Sequence, residues 1–137
     1  MRKWGLIIVV LISSCTYHKA DVNDLPEEAG AFVSEHFASF TIHDIYFDNR
    51  HDDKIEVEFK DDTHIIFDED GAWEVIVGGT NTLPLTFLHP AIPVYLKEHY
   101  PKDEVVRIES KKKGIGLKLK GGYEIRFNKD GSVDKIK

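Results

Sequence analysis

The sequence is poor in cysteine. Cys15 is the only one among 137 residues, so no disulfide within the chain can hold the fold. It also lacks a long apolar run: "WGLIIVVLI" falls well short of the roughly 20 residues that a membrane-spanning helix needs. There is no G-x-S-x-G elbow, no HExxH or HxxxH pair, and "GGT" and "KGIG" lack phosphate-loop spacing. Those gaps remove the readings of serine hydrolase, zincin and P-loop enzyme. Ser34, Ser39, Ser110 and Ser132 sit in ordinary solvated contexts, and Asp52-Asp53 and Asp61-Asp62 read as loop or turn residues. No catalytic residue, cofactor or metal ligand set is expected, and the protein is read as a non-enzyme. A net acidic chain without interleaved surface aromatics also points away from nucleic acid.

What is present begins with charge. The formal net charge is −6, from 18 basic and 24 acidic residues, and it is unevenly spread. Residues 15–78 carry 4 basic and 17 acidic side chains, while residues 79–137 carry 12 and 7. Such asymmetry can steer partners, or simply let the halves attract each other. Lys111, Lys112 and Lys113 form a basic tip suited to an anionic headgroup or polymer.

The first fourteen residues have the layout of a signal peptide: Arg2 and Lys3, a short apolar core, then Ser13-Ser14 before Cys15. "ISSC" resembles the bacterial lipoprotein signal. It implies cleavage before Cys15, lipid on its sulfur, and attachment to the bacterial envelope, facing either periplasm or surface. Residues 15–23 then read as a short tether, and residues 24–137 as one domain.

"IIFDEDGAWEVI" (Ile65–Ile76) places Asp68, Asp70 and Gly71 at the third, fifth and sixth positions of a calcium loop. Ile66 and Val77 would then hold the first and twelfth positions, where side-chain oxygens are required; at most a weak site built on backbone oxygens is left. The stretch "EIRFNKDGSVDKI" repeats the pattern sixty residues later, with Phe127, Asp130 and Gly131 answering Phe67, Asp70 and Gly71. Arg126 now stands at the first calcium position, where it would repel a metal. Asp-Gly between alternating apolar runs is a hairpin signal, because the turn requires positive φ.

The duplication extends further. "AGAFVSEHF" and "IPVYLKEHY" match at a shift of 63, both with apolar residues at i, i+3, i+4, i+7 and i+8, the stripe of an amphipathic helix. "FTIHDIYFD" answers "DEVVRIESK", and "KIEVEFKD" answers "GIGLKLKG". The alternation of "IEVEF" predicts one buried and one wet sheet face. The expected fold is therefore α+β: a tandem repeat of helix plus four antiparallel strands (24–78 and 84–137), forming one sheet of about eight strands with both helices on one face. His36 and His99 fall near the helix C-termini, where they suit the dipole and would be half-buried. His43, His51 and His64 lie among strands and loops of the acidic half.

Two helix-plus-four-strand copies, "LP" ahead of each helix, "EHF" or "EHY" closing it, and the "FDEDG" turn resemble the PepSY-like family over roughly Leu25–Lys137. These are small exported bacterial proteins, many of them lipoproteins, with folds related to the β-lactamase inhibitor protein. The resemblance implies binding through the open sheet face and its loops, as inhibitor relatives do. Those relatives use disulfides, which the body of this chain lacks. On the outward strand positions the first copy shows Glu56, Glu58, Ile66 and Asp68, and the second Lys118, Lys120, Glu124 and Arg126. The binding residues expected are Glu56, Glu58, Asp68, Lys118, Lys120 and Arg126, and the function expected is a protein- or peptide-binding module, including inhibition of a hydrolase or peptidase. A periplasmic carrier of a small ligand or metal is the alternative.

Overall fold

The computed structural model describes residues 21–48 and 53–137. The signal peptide, Cys15, most of the tether, His51 and Asp52 lie outside the described residues. A 3-10 turn at Val22–Asp24, capped by the Asp21 side chain, leads into α1 (Glu27–His36). Four strands follow: β1 (Ile42–Asp48), β2 (Lys54–Phe59), β3 (His64–Phe67) and β4 (Trp73–Val77). After a connector come α2 (Ala91–His99) and β5 (Val105–Lys111), β6 (Gly114–Leu119), β7 (Glu124–Asn128) and β8 (Val133–Ile136). The strands form one antiparallel eight-stranded sheet in strict chain order.

Each helix starts for a local reason. Pro26 and Pro90 stand at the N-caps, where a missing N–H costs no hydrogen bond. Glu27 and Glu28 complement the positive end of α1; His36, Lys97 and His99 complement the negative ends of the two helices. The apolar stripes then turn inward. Ala29, Val33 and Phe37 on one helix, and Ile92 and Leu96 on the other, are buried in a single core with the sheet residues. Phe32 packs edge-on to Phe67 with ring centroids 6.0 Å apart, and Tyr95 packs edge-on to Phe127 at 5.6 Å. His36 is half-buried beside Phe32 and Phe87, with Nδ1 3.1 Å from Thr86 Oγ1. His99 differs from expectation: it is exposed and, among the described rings, touches only that of Tyr95, tilted with centroids 4.2 Å apart, whereas His36 is also covered by Phe87 of the connector.

Strand register explains the core. Directly opposed residues point to the same face of a sheet. Ile45, Val57, Ile65, Ile76, Ile108, Leu117, Ile125 and Ile136 oppose one another in turn across all eight strands. All but Ile136, on the edge strand, are buried. Bulges interrupt the ladder between Ile42 and Asp44, Ile66 and Phe67, Val105 and Arg107, and Arg126 and Phe127.

The two Asp-Gly turns also share a shape. Gly71 and Gly131 have φ of 92° and 84°, as the hairpin requires. A side chain at Gly71 would strike the Ala29 backbone, and one at Gly131 would strike His89 and Ala91, so each turn is pressed against the start of a helix. Thr63 is the one buried polar residue among those described. Its hydroxyl donates to Asp61 Oδ2 at 2.7 Å and accepts from the Gly79 N–H at 3.1 Å, tying the β2–β3 turn to the connector.

Candidate binding face of the sheet

The alternation that buries one row of side chains sends the next row to the opposite face. Two such rows cross the whole sheet. The first is Tyr46, Glu56, Ile66, Val75, Glu109, Gly116, Arg126 and Lys135. The second is Asp44, Glu58, His64, Val77, Arg107, Lys118 and Glu124, with Lys137 hydrogen-bonded beside Glu124. Acid thus lies on β1 and β2, aliphatic side chains on β3 and β4, and mostly base, with Glu124 opposite Lys118, on β6 to β8.

Glu56, Glu58, Lys118 and Arg126 all stand on these two rows. Asp68 and Lys120 do not: each lies one residue past the end of its strand, in a hairpin turn. Asp68 Oδ1 accepts from the N–H groups of Asp70 and Ala72, both at 2.9 Å, so that carboxylate shapes its own turn. Lys120 is held through its backbone N–H to the Glu104 carbonyl, and its Nζ is 3.9 Å from the Glu104 carboxylate. Extrapolating the alternation past a strand end placed both on the face; the chain has already turned there.

The acidic side of the face is internally paired. Tyr46 Oη donates to Glu58 Oε2 at 3.0 Å, Glu56 Oε1 lies 2.9 Å from His64 Nδ1, and Lys54 Nζ donates to Glu74 at 2.6 Å. On the basic side, Lys111 Nζ and Arg107 Nε both bind Glu109, at 2.5 and 2.6 Å. Lys111 and then Arg107 hold the Glu109 carboxyl below its ordinary pKa, outweighing its partial burial. Between these groups the sheet dips into a groove of about 290 Å³, lined by Arg107, Glu109, Lys111, Gly116, Lys118, Glu124, Arg126, Lys135 and Lys137 with the backbone-side surface of Leu117 and Ile125. Gly116 is its floor. Sequence reading missed this groove, although the signal was present: in "GIGLKL" a glycine occupies an outward position that "KIEVEF" fills with Glu56.

Chemically, the face offers charge, hydrogen bonds and a flat aliphatic centre. Among the described residues, no group of three or more His, Cys, Asp or Glu side chains is placed to hold a metal. No helix among them is long and apolar enough to cross a membrane.

One antiparallel eight-stranded sheet with two helices defines an α+β class of fold. Within that class the chain belongs to the family described as "Putative beta-lactamase-inhibitor-like, PepSY-like", which matches residues 53–135. It is similar to a solved "putative calcium-regulated periplasmic protein" from Bacteroides thetaiotaomicron, with 25% identity, a TM-score of 0.77, and coverage of 86% of this chain and 94% of that one. A "putative periplasmic protein of unknown function" from Bacteroides vulgatus is similar at 30% identity and a TM-score of 0.72, covering 87% and 96% of the two chains. A second "putative periplasmic protein" from Bacteroides vulgatus matches at 28% identity and a TM-score of 0.71, over 86% and 94%. No curated protein matches the chain.

Proposed function

We propose that this protein is a non-enzymatic binding module of the bacterial envelope, which engages a protein or peptide through the open face of its sheet. The observation that carries the reading is the pair of outward rows. They span all eight strands, no described helix residue joins them, and they change from acidic to basic across the face. A charge-patterned platform of this kind selects partners and fixes their orientation. Membership of an inhibitor-like family supports inhibition of a hydrolase or peptidase as one form of that role. The periplasmic descriptions of the solved relatives support a periplasmic location, and lipid on Cys15 would supply the anchor.

The fold reading that goes with this is a tandem duplication, residues 24–78 and 84–137, with both helices on the side away from the face. The recurrence of bulges at corresponding steps of β1 and β5 and of β3 and β7 supports it, as does the docking of Gly71 and Gly131 against the two helix starts. The calcium in one relative's description belongs to that protein. Here Ile66 and Val77 at the first turn and Arg126 at the second stand where a calcium loop needs side-chain oxygens, and among the described residues no three acidic or His side chains are grouped to hold a metal.

The test is affinity capture of envelope proteins by the full chain, in wild type and in a Glu56→Lys, Lys118→Glu double variant that reverses both ends of the face. Loss of a discrete captured protein in the variant is expected. Capture that survives the reversal unchanged rejects the face.

A further inference from the structure

Resting on that reading, we infer that the groove over Gly116 is a receptor site for an acidic extended segment of the partner protein, with the side-chain carboxylates seated between Arg126 and Lys118. Three observations converge. Six basic side chains line the groove against only two carboxylates. One of those carboxylates, Glu109, is already satisfied by Arg107 and Lys111, whereas among the described residues Lys118, Arg126 and Lys135 make no ion pair. The floor position carries no side chain, directly opposite Arg126, so a ligand carboxylate can approach the sheet closely with the guanidinium fork beside it.

The corresponding place in the acidic half shows what the glycine achieves. There Glu56 occupies the outward position on β2 and meets His64, so the surface is filled and paired. In the basic half the place of that carboxylate is vacated, and the cations around it face solvent. A carboxylate brought by a partner would complete the missing pair, and its charge complements the surplus of cations.

Gly116 also gives a clean test. A β-carbon there would meet Lys111 Cε at 3.3 Å and Lys111 Cγ and Glu109 Cβ at 3.9 and 4.0 Å; the nearest atom belongs to the flexible end of a side chain. Gly116→Thr therefore fits the strand once the end of Lys111 gives by a few tenths of an ångström, fills the floor and removes no charge. The probe is a fluorescein-labelled peptide of four Glu-Ser repeats, with Lys-Ser repeats as control, titrated by anisotropy against the full chain in a non-ionic detergent. Wild type is expected to bind the acidic peptide and not the basic one. Gly116→Thr and Arg126→Glu should each weaken binding at least tenfold, while Lys112→Glu, in the β5–β6 turn outside the groove, should change it less than twofold. Equal losses in Arg126→Glu and Lys112→Glu with none in Gly116→Thr would mean diffuse charge attraction and overturn the site. So would binding confined to anionic phosphatidylglycerol vesicles, or sedimentation showing that a second copy of the chain occupies the groove. If envelope capture fails on reversal of the face but is untouched by Gly116→Thr, the wider reading stands and the groove assignment falls.

Discussion

The acidic and basic halves solve the same folding problem and present different surfaces. Toward the core they agree at one pair: Phe67 and Phe127 are both fully buried, and each is covered edge-on by an aromatic ring of a helix. Toward solvent they diverge. Tyr46, Glu56 and Glu58 are tied down by neighbours, while Lys118, Arg126 and Lys135 surround an open groove. The connector differs too. Thr63 and Asp61 clamp it to the first half, where the second half has an exposed Tyr123 before β7. The difference teaches that core positions are constrained by packing on every side, whereas outward positions can change charge and size at little cost.

The largest expected effects test the shared core. Phe67→Ala and Phe127→Ala should each cost about 3–5 kcal/mol in urea unfolding, because each removes a fully buried ring. Both should lower one common transition, since the two rings belong to a single core. Two separate transitions, each sensitive to only one variant, would split the halves into independent units.

Next comes the clamp. Thr63→Val keeps shape but strands the Gly79 N–H and removes a bond to Asp61, for an expected loss of about 1–3 kcal/mol. Tyr123→Phe, in the other half, should stay within about 0.5 kcal/mol because that ring is half exposed. Equal losses would mean the clamp has no special part.

The pH response should be smaller, and in the first half it rests on Asp61. Burial pushes the Asp61 carboxyl up, but the Thr63 hydroxyl and the backbone N–H groups of Asn81 and Thr63 together bring it below its ordinary value. A carboxyl with a depressed folded pKa adds stability above its unfolded pKa, near 4, and loses it as pH falls through the folded value. Urea midpoints between pH 7 and pH 2 should therefore fall less steeply in Asp61→Asn than in wild type. A small effect is also expected at Tyr46→Phe, which removes one exposed bond to Glu58 and should cost no more than about 1 kcal/mol.

Much of this fold is legible in sequence because packing leaves a periodic trace. The helix stripes through Ala29, Val33 and Phe37 and through Ile92 and Leu96 mark buried faces, and the alternation of Ile55, Val57 and Phe59 marks a strand. Asp-Gly announces two turns by their backbone need. The Thr63 clamp leaves no trace, since its partners Asp61 and Gly79 meet only after the chain has folded back on itself. The face was legible in part. Glu56, Glu58, Lys118 and Arg126 could be read from parity, but the groove depends on register across β5, β6 and β7, and a glycine says nothing of the cations that other strands bring around it. Asp68 and Lys120 show the limit of parity, which holds only while the strand lasts.

The binding face itself is tested most directly by photo-crosslinking in native envelopes, with a photoreactive residue replacing Ile66 at the aliphatic centre of the sheet or Ser34 on the exposed side of α1. The account predicts a discrete protein adduct from position 66 and none from position 34. An adduct from position 34 alone would place the partner on the helices and contradict it.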